Sequence, residues 1–166
     1  NVTATTLTSG AKSVIHSDSA VTLNAQTATL NGETSAGTTL AVKGQQLTTQ
    51  AGAQLQSGAS MTLEAAKPTL GGTQAAKGAL SVTASDSLTH SGNSTGSTVN
   101  LKAGTLTNSG IVESPALTVN AKNLTNSGTL YGKQSFTLFA DQLPNQSQGV
   151  LYSDANLALS APVLTN

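Results

Sequence analysis

The chain has 166 residues, with 7 Lys, 7 Asp or Glu and 2 His, and it contains no Arg, Cys or Trp. Its formal net charge of +0 and its lack of Arg exclude the electrostatic footprint of nucleic-acid or anionic-membrane binding. The absence of Cys excludes disulfide scaffolds and thiolate metal or redox sites, and no run of apolar residues is long enough for a transmembrane helix.

Only 8% of residues are charged, against roughly 25% in an ordinary soluble domain. Aromatics at 2% cannot fill a wide core, yet 37% hydrophobic residues is too many for a disordered linker. A narrow, repetitive core of small and branched aliphatics reconciles the two. The amino terminus shows no basic region followed by an apolar stretch, so no signal peptide is expected within these residues.

Along the chain one pentad recurs: apolar, polar, apolar, variable, small. It begins at Val21 and returns at Leu40, Met61, Leu80, Val99, Leu117, Phe136 and Leu157. The steps are 19, 21, 19, 19, 18, 19 and 21 residues. A second apolar anchor follows each pentad, at Leu30, Leu47, Leu70, Leu88, Leu106, Leu124, Leu143 and Leu164, with Leu7 in a partial leading copy. In later copies it opens the turn phrase Leu-Thr-Asn-Ser-Gly at 106–110 and 124–128, where Asn and Gly tolerate positive φ. A third apolar position follows at Val14-Ile15, Ile111-Val112, Thr129-Leu130 and Val150-Leu151.

Within the pentad the alternation has period two, and the segments are short, rich in Val, Leu and Thr, and bounded by turn formers. A unit of about nineteen residues cannot bury its own apolar face, but a stack of such units buries a continuous one. The sequence therefore predicts an all-β fold: a parallel β-helix of roughly nine coils over residues 1–166, about 4.8 Å apart. A β-propeller blade needs about 40 residues, twice the period found.

Stacking converts the repeat into columns. Asn108, Asn126, Asn145 and Asn166 are expected to form an amide ladder. The outward fourth pentad position reads Asn24, Lys43, Glu64, Thr83, Lys102, Asn120, Phe139, Ser160. Lys43 and Glu64 become a surface ion pair, and Lys133 and Asp154 are read likewise. Phe139 departs from its polar column. Tyr131 and Tyr152 share a second outward column with His16, Gln56 and Glu113. Exposed aromatics mark contact surfaces, so Tyr131, Phe139 and Tyr152 are the candidate receptor-contact residues. The alternative is that Tyr131 merely stacks on Tyr152 while Phe139 packs under a turn.

No catalytic, cofactor-binding or metal-binding residue is assigned. The seven acids scatter over different coils, and no two share an outward column on neighbouring coils. A two-carboxylate glycosidase needs its pair about 5–10 Å apart. His16 and His90 stand four coils apart, on columns read as outward and solvated. Gly71-Gly72 follows Pro68 in a loop and belongs to no phosphate-binding motif.

The phrase Leu-Thr-Asn-Ser-Gly, followed by an apolar strand and Leu117-Thr118-Val119-Asn120-Ala121, resembles the haemagglutinin repeat of filamentous haemagglutinin-type exoproteins, most specifically over residues 99–166. The resemblance implies a right-handed β-helix within a large two-partner-secretion protein of Gram-negative bacteria. Such proteins are exported by an outer-membrane partner transporter and displayed at the cell surface. Members include adhesins and effectors of contact-dependent growth inhibition, in which the repeats form a stalk that carries a binding or toxic region toward a target cell. The chain is accordingly expected to be a non-enzymatic, extracellular stalk segment of a longer filament, without cofactor or membrane insertion. The alternatives are a receptor-binding part of that filament, which would contact a receptor on the target cell, and a carbohydrate-active β-helix.

Overall fold

The computed structural model describes residues 1–166 and consists of nineteen β-strands with no helix. The strands pair in parallel with their equivalents on the neighbouring coils. The molecule is thus a parallel β-solenoid of about nine turns, with three strand segments per turn.

The pentads form the first face. Val21 pairs with Leu40, Leu40 with Met61, Met61 with Leu80, Leu80 with Val99, Val99 with Leu117, Leu117 with Phe136, and Phe136 with Leu157. This is the register read from the repeat. Alternate residues point inward, so positions one and three of each pentad meet the axis. Leu40, Met61, Leu80, Val99 and Phe136 are at most 1% exposed. The fifth position is small because the chain turns a corner there: Ala65, Ala84, Ala103, Ala121 and Ala140 are all buried.

The second face runs through strands such as Gln46–Thr49, Lys67–Leu70 and Ser87–His90. Here the structure corrects the expected anchor column. Leu47 pairs with Ala28 and Pro68, not with Leu30 and Leu70. Leu30 and Leu70 lie two residues further on, beside Thr49. A shift of two residues keeps a side chain on the same face, so alternation alone does not distinguish the two registers.

The third face comprises strands such as Val14–Ser17, Glu33–Ala36, Gln54–Ser57 and Val150–Ser153. Of each apolar pair, the second residue points inward. Val112 and Leu130 are 0% exposed, whereas Ile111 and Val150 are 47% and 45% exposed.

Toward the carboxy terminus the segments fuse. Strands Ile111–Asn126 and Thr129–Pro144 each run through a corner, with a register slip between Ser114 and Ala116. In the coil that ends the described residues, Leu157, Leu159 and Leu164 of the inward columns are 45%, 39% and 51% exposed.

The turn glycines also have a different cause from the one expected. Gly72 alone has positive φ, at 63°. Gly110 and Gly128 do not need left-handed backbone. They are glycine because a Cβ on Gly110 would run into the carbonyl oxygen of Gly92, and one on Gly128 into that of Gly110. The constraint is close approach between stacked coils.

Candidate functional site

Strands Ile111–Asn126, Thr129–Pro144 and Val150–Ser153 bring Glu113, Tyr131 and Tyr152 into one outward column. The rings of Tyr131 and Tyr152 stack with centroids 5.3 Å apart and planes at 29°. The Tyr131 hydroxyl donates to Asp154 Oδ2. That hydrogen bond, with smaller contributions from desolvation and the carboxylate's charge, pushes the Tyr131 pKa up to about 12. Asp154 raises Tyr152 by the same kind of contact.

Lys133 does not pair with Asp154, as the sequence led us to expect. Its ammonium lies 2.8 Å from Glu113, on the coil before. Asp154 is engaged by the tyrosines. The hydrogen bond to Glu113, and then its charge, raise the Lys133 pKa. The Lys43–Glu64 pair forms as expected, at 2.9 Å, and a further pair joins Lys67 to Asp86 at 3.4 Å. All of these are exposed, so solvent screening leaves them little net stabilisation.

Phe139 does not join the tyrosines. It follows the bend after Gly132, on the pentad face between Asn120 and Ser160. It is 49% exposed and not covered by a turn. It lines an open groove of about 780 Å³ with Lys102, Lys122, Asp141 and Pro162. The three candidate contact residues therefore mark two surfaces, a Tyr131–Tyr152 stack and a Phe139 groove.

The most organised polar feature lies inside. Asn108 Nδ2 donates to Asn126 Oδ1 at 2.8 Å, Asn126 Nδ2 to Asn145 Oδ1 at 2.8 Å, and Asn145 Nδ2 to Asn166 Oδ1 at 2.7 Å. This is the expected amide ladder, and it extends further toward the amino terminus than the asparagines do. His90 Nδ1 lies 2.7 Å from Asn108 Oδ1, and its Nε2 lies 2.9 Å from Ser94 Oγ. Ser94 bonds to Gln74 Oε1 at 2.9 Å. Gln74 Nε2 reaches Gly71 O at 2.6 Å and Thr49 Oγ1 at 3.3 Å.

His90, Gln74, Ser94, Asn108 and Asn126 are all 0% exposed. His90 is thus not solvated, which corrects the outward placement. Burial lowers its pKa, opposed in part by the bond to Asn108. A signal was present in the sequence: Leu88-Thr89-His90 stands where later coils read Leu-Thr-Asn. Leu70 breaks the column, and Gln74 crosses from the neighbouring inward column to bridge it. Thr34 Oγ1 is the one buried side-chain polar atom left without a partner.

His16, on the outward column, bonds to Ser35 at 2.8 Å and to Asp18 at 3.1 Å. No group of three or more His, Cys, Asp or Glu side chains is placed to hold a metal ion. Among the acids paired in register, Glu33 faces Val14 and Gln54, Glu64 faces Lys43 and Thr83, and Glu113 faces Thr95 and Tyr131. None faces another carboxylate on an adjacent coil.

No protein-family model matches the chain, and no solved structure matches it significantly. Three curated proteins do. The chain is 45% identical over 159 residues to "tRNA nuclease CdiA" of Escherichia coli strain STEC_O31, covering 96% of this chain and 5% of that protein. It is 45% identical over 163 residues to "Toxin CdiA" of Escherichia coli, covering 98% of this chain and 5% of that protein. It is 44% identical over 163 residues to "tRNA nuclease CdiA" of Escherichia coli O6:K15:H31 (strain 536 / UPEC), with the same coverage. The chain thus spans 5% of the length of the curated relatives it matches.

Proposed function

We infer that this chain, a homologue of CdiA proteins over nearly its whole length, is a stalk segment of a contact-dependent growth inhibition exoprotein of the two-partner-secretion type. The observation that carries this reading is the uninterrupted coil-on-coil register. The same inward columns run from Val21 to Leu157 with no inserted domain. Such a shaft supplies length and stiffness. Each coil needs only its predecessor as a template, which suits folding as the chain emerges from an outer-membrane transporter onto the bacterial surface. The nuclease activity named for two relatives belongs, on this reading, to other parts of those much longer proteins.

The test removes one whole coil, residues 99–116, from the parent exoprotein. A stalk predicts retained surface display and retained inhibition of target cells. Loss of inhibition with display intact would overturn the stalk reading and assign recognition to this segment.

A second reading is favoured by one observation: Phe139 and Tyr152 leave 49% and 51% of their surface exposed in columns that are otherwise mostly polar. On this reading the segment touches a receptor on the target cell through Tyr131 and Tyr152, through Phe139, or through both surfaces. Binding of the labelled chain to intact bacterial and epithelial cells tests it. Replacing the three aromatics with Ser should then abolish saturable binding while leaving the β-sheet circular dichroism unchanged.

A further inference from the structure

The buried ladder has a proton inventory that can be counted. Its two ends fix the direction of every amide. Asn108, Asn126 and Asn145 each aim Nδ2 at a backbone carbonyl: Gly110 at 3.3 Å, Gly128 at 3.1 Å and Gly149 at 2.9 Å. Flipping any of them would set oxygen against oxygen. Asn108 therefore presents Oδ1 to His90. At the other end, Gln74 Nε2 is committed to Gly71 O and Thr49 Oγ1, so Gln74 presents Oε1 to Ser94.

Between these two fixed acceptors lie three short contacts: Asn108 Oδ1 to His90 Nδ1, His90 Nε2 to Ser94 Oγ, and Ser94 Oγ to Gln74 Oε1. A neutral imidazole brings one hydrogen and the serine hydroxyl brings one. Three contacts share two hydrogens. With the proton on Nδ1, the Ser94 hydroxyl satisfies either His90 Nε2 or Gln74 Oε1, and the other faces it lone pair to lone pair. With the proton on Nε2, Nδ1 faces Asn108 Oδ1 without a hydrogen.

We propose that the His90–Ser94–Gln74 junction is a buried proton-binding site in which uptake of one proton at Nε2 completes the ladder within the folded solenoid. The imidazolium then donates at both nitrogens, to Asn108 and to Ser94, and Ser94 donates to Gln74. No charged group assists. The ionisable residues nearest in register on the strands packed against His90, Lys67 and Lys102, are exposed on the outer surface, as is Asp86 before its own strand. Proton affinity at the site is set by desolvation against hydrogen-bond completion, and not by an ion pair. The arrangement is a device for reading acidity from inside the shaft.

The chain has only two histidines, so long-range ¹H–¹⁵N spectra of the imidazoles resolve the question on the intact protein. Exposed His16 serves as the internal reference. His90 is expected to start as the Nδ1–H tautomer and to take up a proton at Nε2 as pH falls below about 6.5, while the amide spectrum stays folded. Gln74→Leu removes the competing acceptor, so that neutral His90 keeps the Ser94 hydrogen. Its His90 proton affinity should fall further, about tenfold or more. Leu55 and Leu130 already occupy that column, so the substitution fits the stack. Ser94→Ala, which deletes both contacts at the junction, should shift it in the same direction. A His90 that stays neutral until the protein unfolds, or a pKa unmoved by both substitutions, overturns the proposal.

Discussion

Asn126 gives the sharpest test of what the ladder contributes to stability. Its Oδ1 accepts from Asn108 at 2.8 Å, and its Nδ2 donates to Asn145 at 2.8 Å, with Gly128 and Val150 carbonyls at 3.1 and 3.3 Å. Asn126→Ala strands Asn145 Oδ1 without its donor, on a residue only 8% exposed. It leaves Asn108 Nδ2 with only the longer bond to Gly110, at 3.3 Å. A buried polar atom left unpaired costs about 1–3 kcal/mol. The Asn108 loss is smaller because a second acceptor remains, so the expected total is about 2–4 kcal/mol.

Asn126→Leu separates hydrogen bonding from packing. Leu30 and Leu70 sit in the same column two coils apart, so the space accepts a leucine, but the stranded carbonyl remains. Leu should therefore still lose about 2 kcal/mol. Urea unfolding followed by far-ultraviolet circular dichroism measures the total. Amide hydrogen exchange in residues 105–145 shows whether the loss is confined to the neighbouring coils, as a quasi-one-dimensional stack allows. An Asn126→Leu protein within about 0.5 kcal/mol of the parent would refute the reasoning, because shape alone would then account for the column.

Gly110→Ala tests close approach against backbone conformation. Where backbone permits, Gly→Ala stabilises by about 0.4–1 kcal/mol. Here the new methyl meets the Gly92 carbonyl, and thermal unfolding should show a loss of about 1–3 kcal/mol. Asp154→Asn should bring the Tyr131 phenol from about 12 back toward 10, read as phenolate absorbance against pH. The direction follows because the folded protein holds that proton more tightly than the unfolded chain, which favours folding up to pH 10 and is lost as pH rises toward 12. His90 has the opposite sign. Its folded pKa lies below the usual 6.5, so the unfolded chain takes up the proton first, and stability declines as pH falls from about 6.5. Urea midpoints at pH 7.5 and 5.5 should show the decline, and His90→Asn, which places an amide in an amide column, should flatten it.

The fold was almost fully legible because the repeat states its own register. Val21, Leu40 and Met61 recur at steps that only a coil of fixed circumference explains, and the strands pair at those residues. The second anchor was misread at Leu30 and Leu70 because a two-residue offset preserves the inward direction. Only the pairing of Leu47 with Ala28 and Pro68 settles it. Of the candidate contacts, the Tyr131–Tyr152 stack followed from their shared column, and Phe139 lies in the separate pentad column to which the repeat assigns it. Period-two patterning gives the face of a strand, and it does not say whether a neighbouring turn covers an outward side chain, so the open groove beside Phe139 was not legible. The ladder was legible where it is chemically uniform, at Asn108, Asn126 and Asn145. It was missed where four residue types, Thr49, Gln74, Ser94 and His90, do the same work across two columns.

The one-coil pairing distance also sets how the shaft meets a load. About nine coils at ~4.8 Å each store the chain in roughly 40 Å of height, although its extended contour exceeds 500 Å by the usual reach of about 3.4 Å per residue. Tension applied at one end is borne by a single ring of parallel hydrogen bonds at a time, since each coil holds only its neighbour. When that ring yields, about nineteen residues come free and supply about 60 Å of slack, while every coil below keeps its full set of bonds and its buried ladder. An overloaded shaft of this kind therefore lengthens one coil of 18 to 21 residues at a time and rewinds on the template that remains.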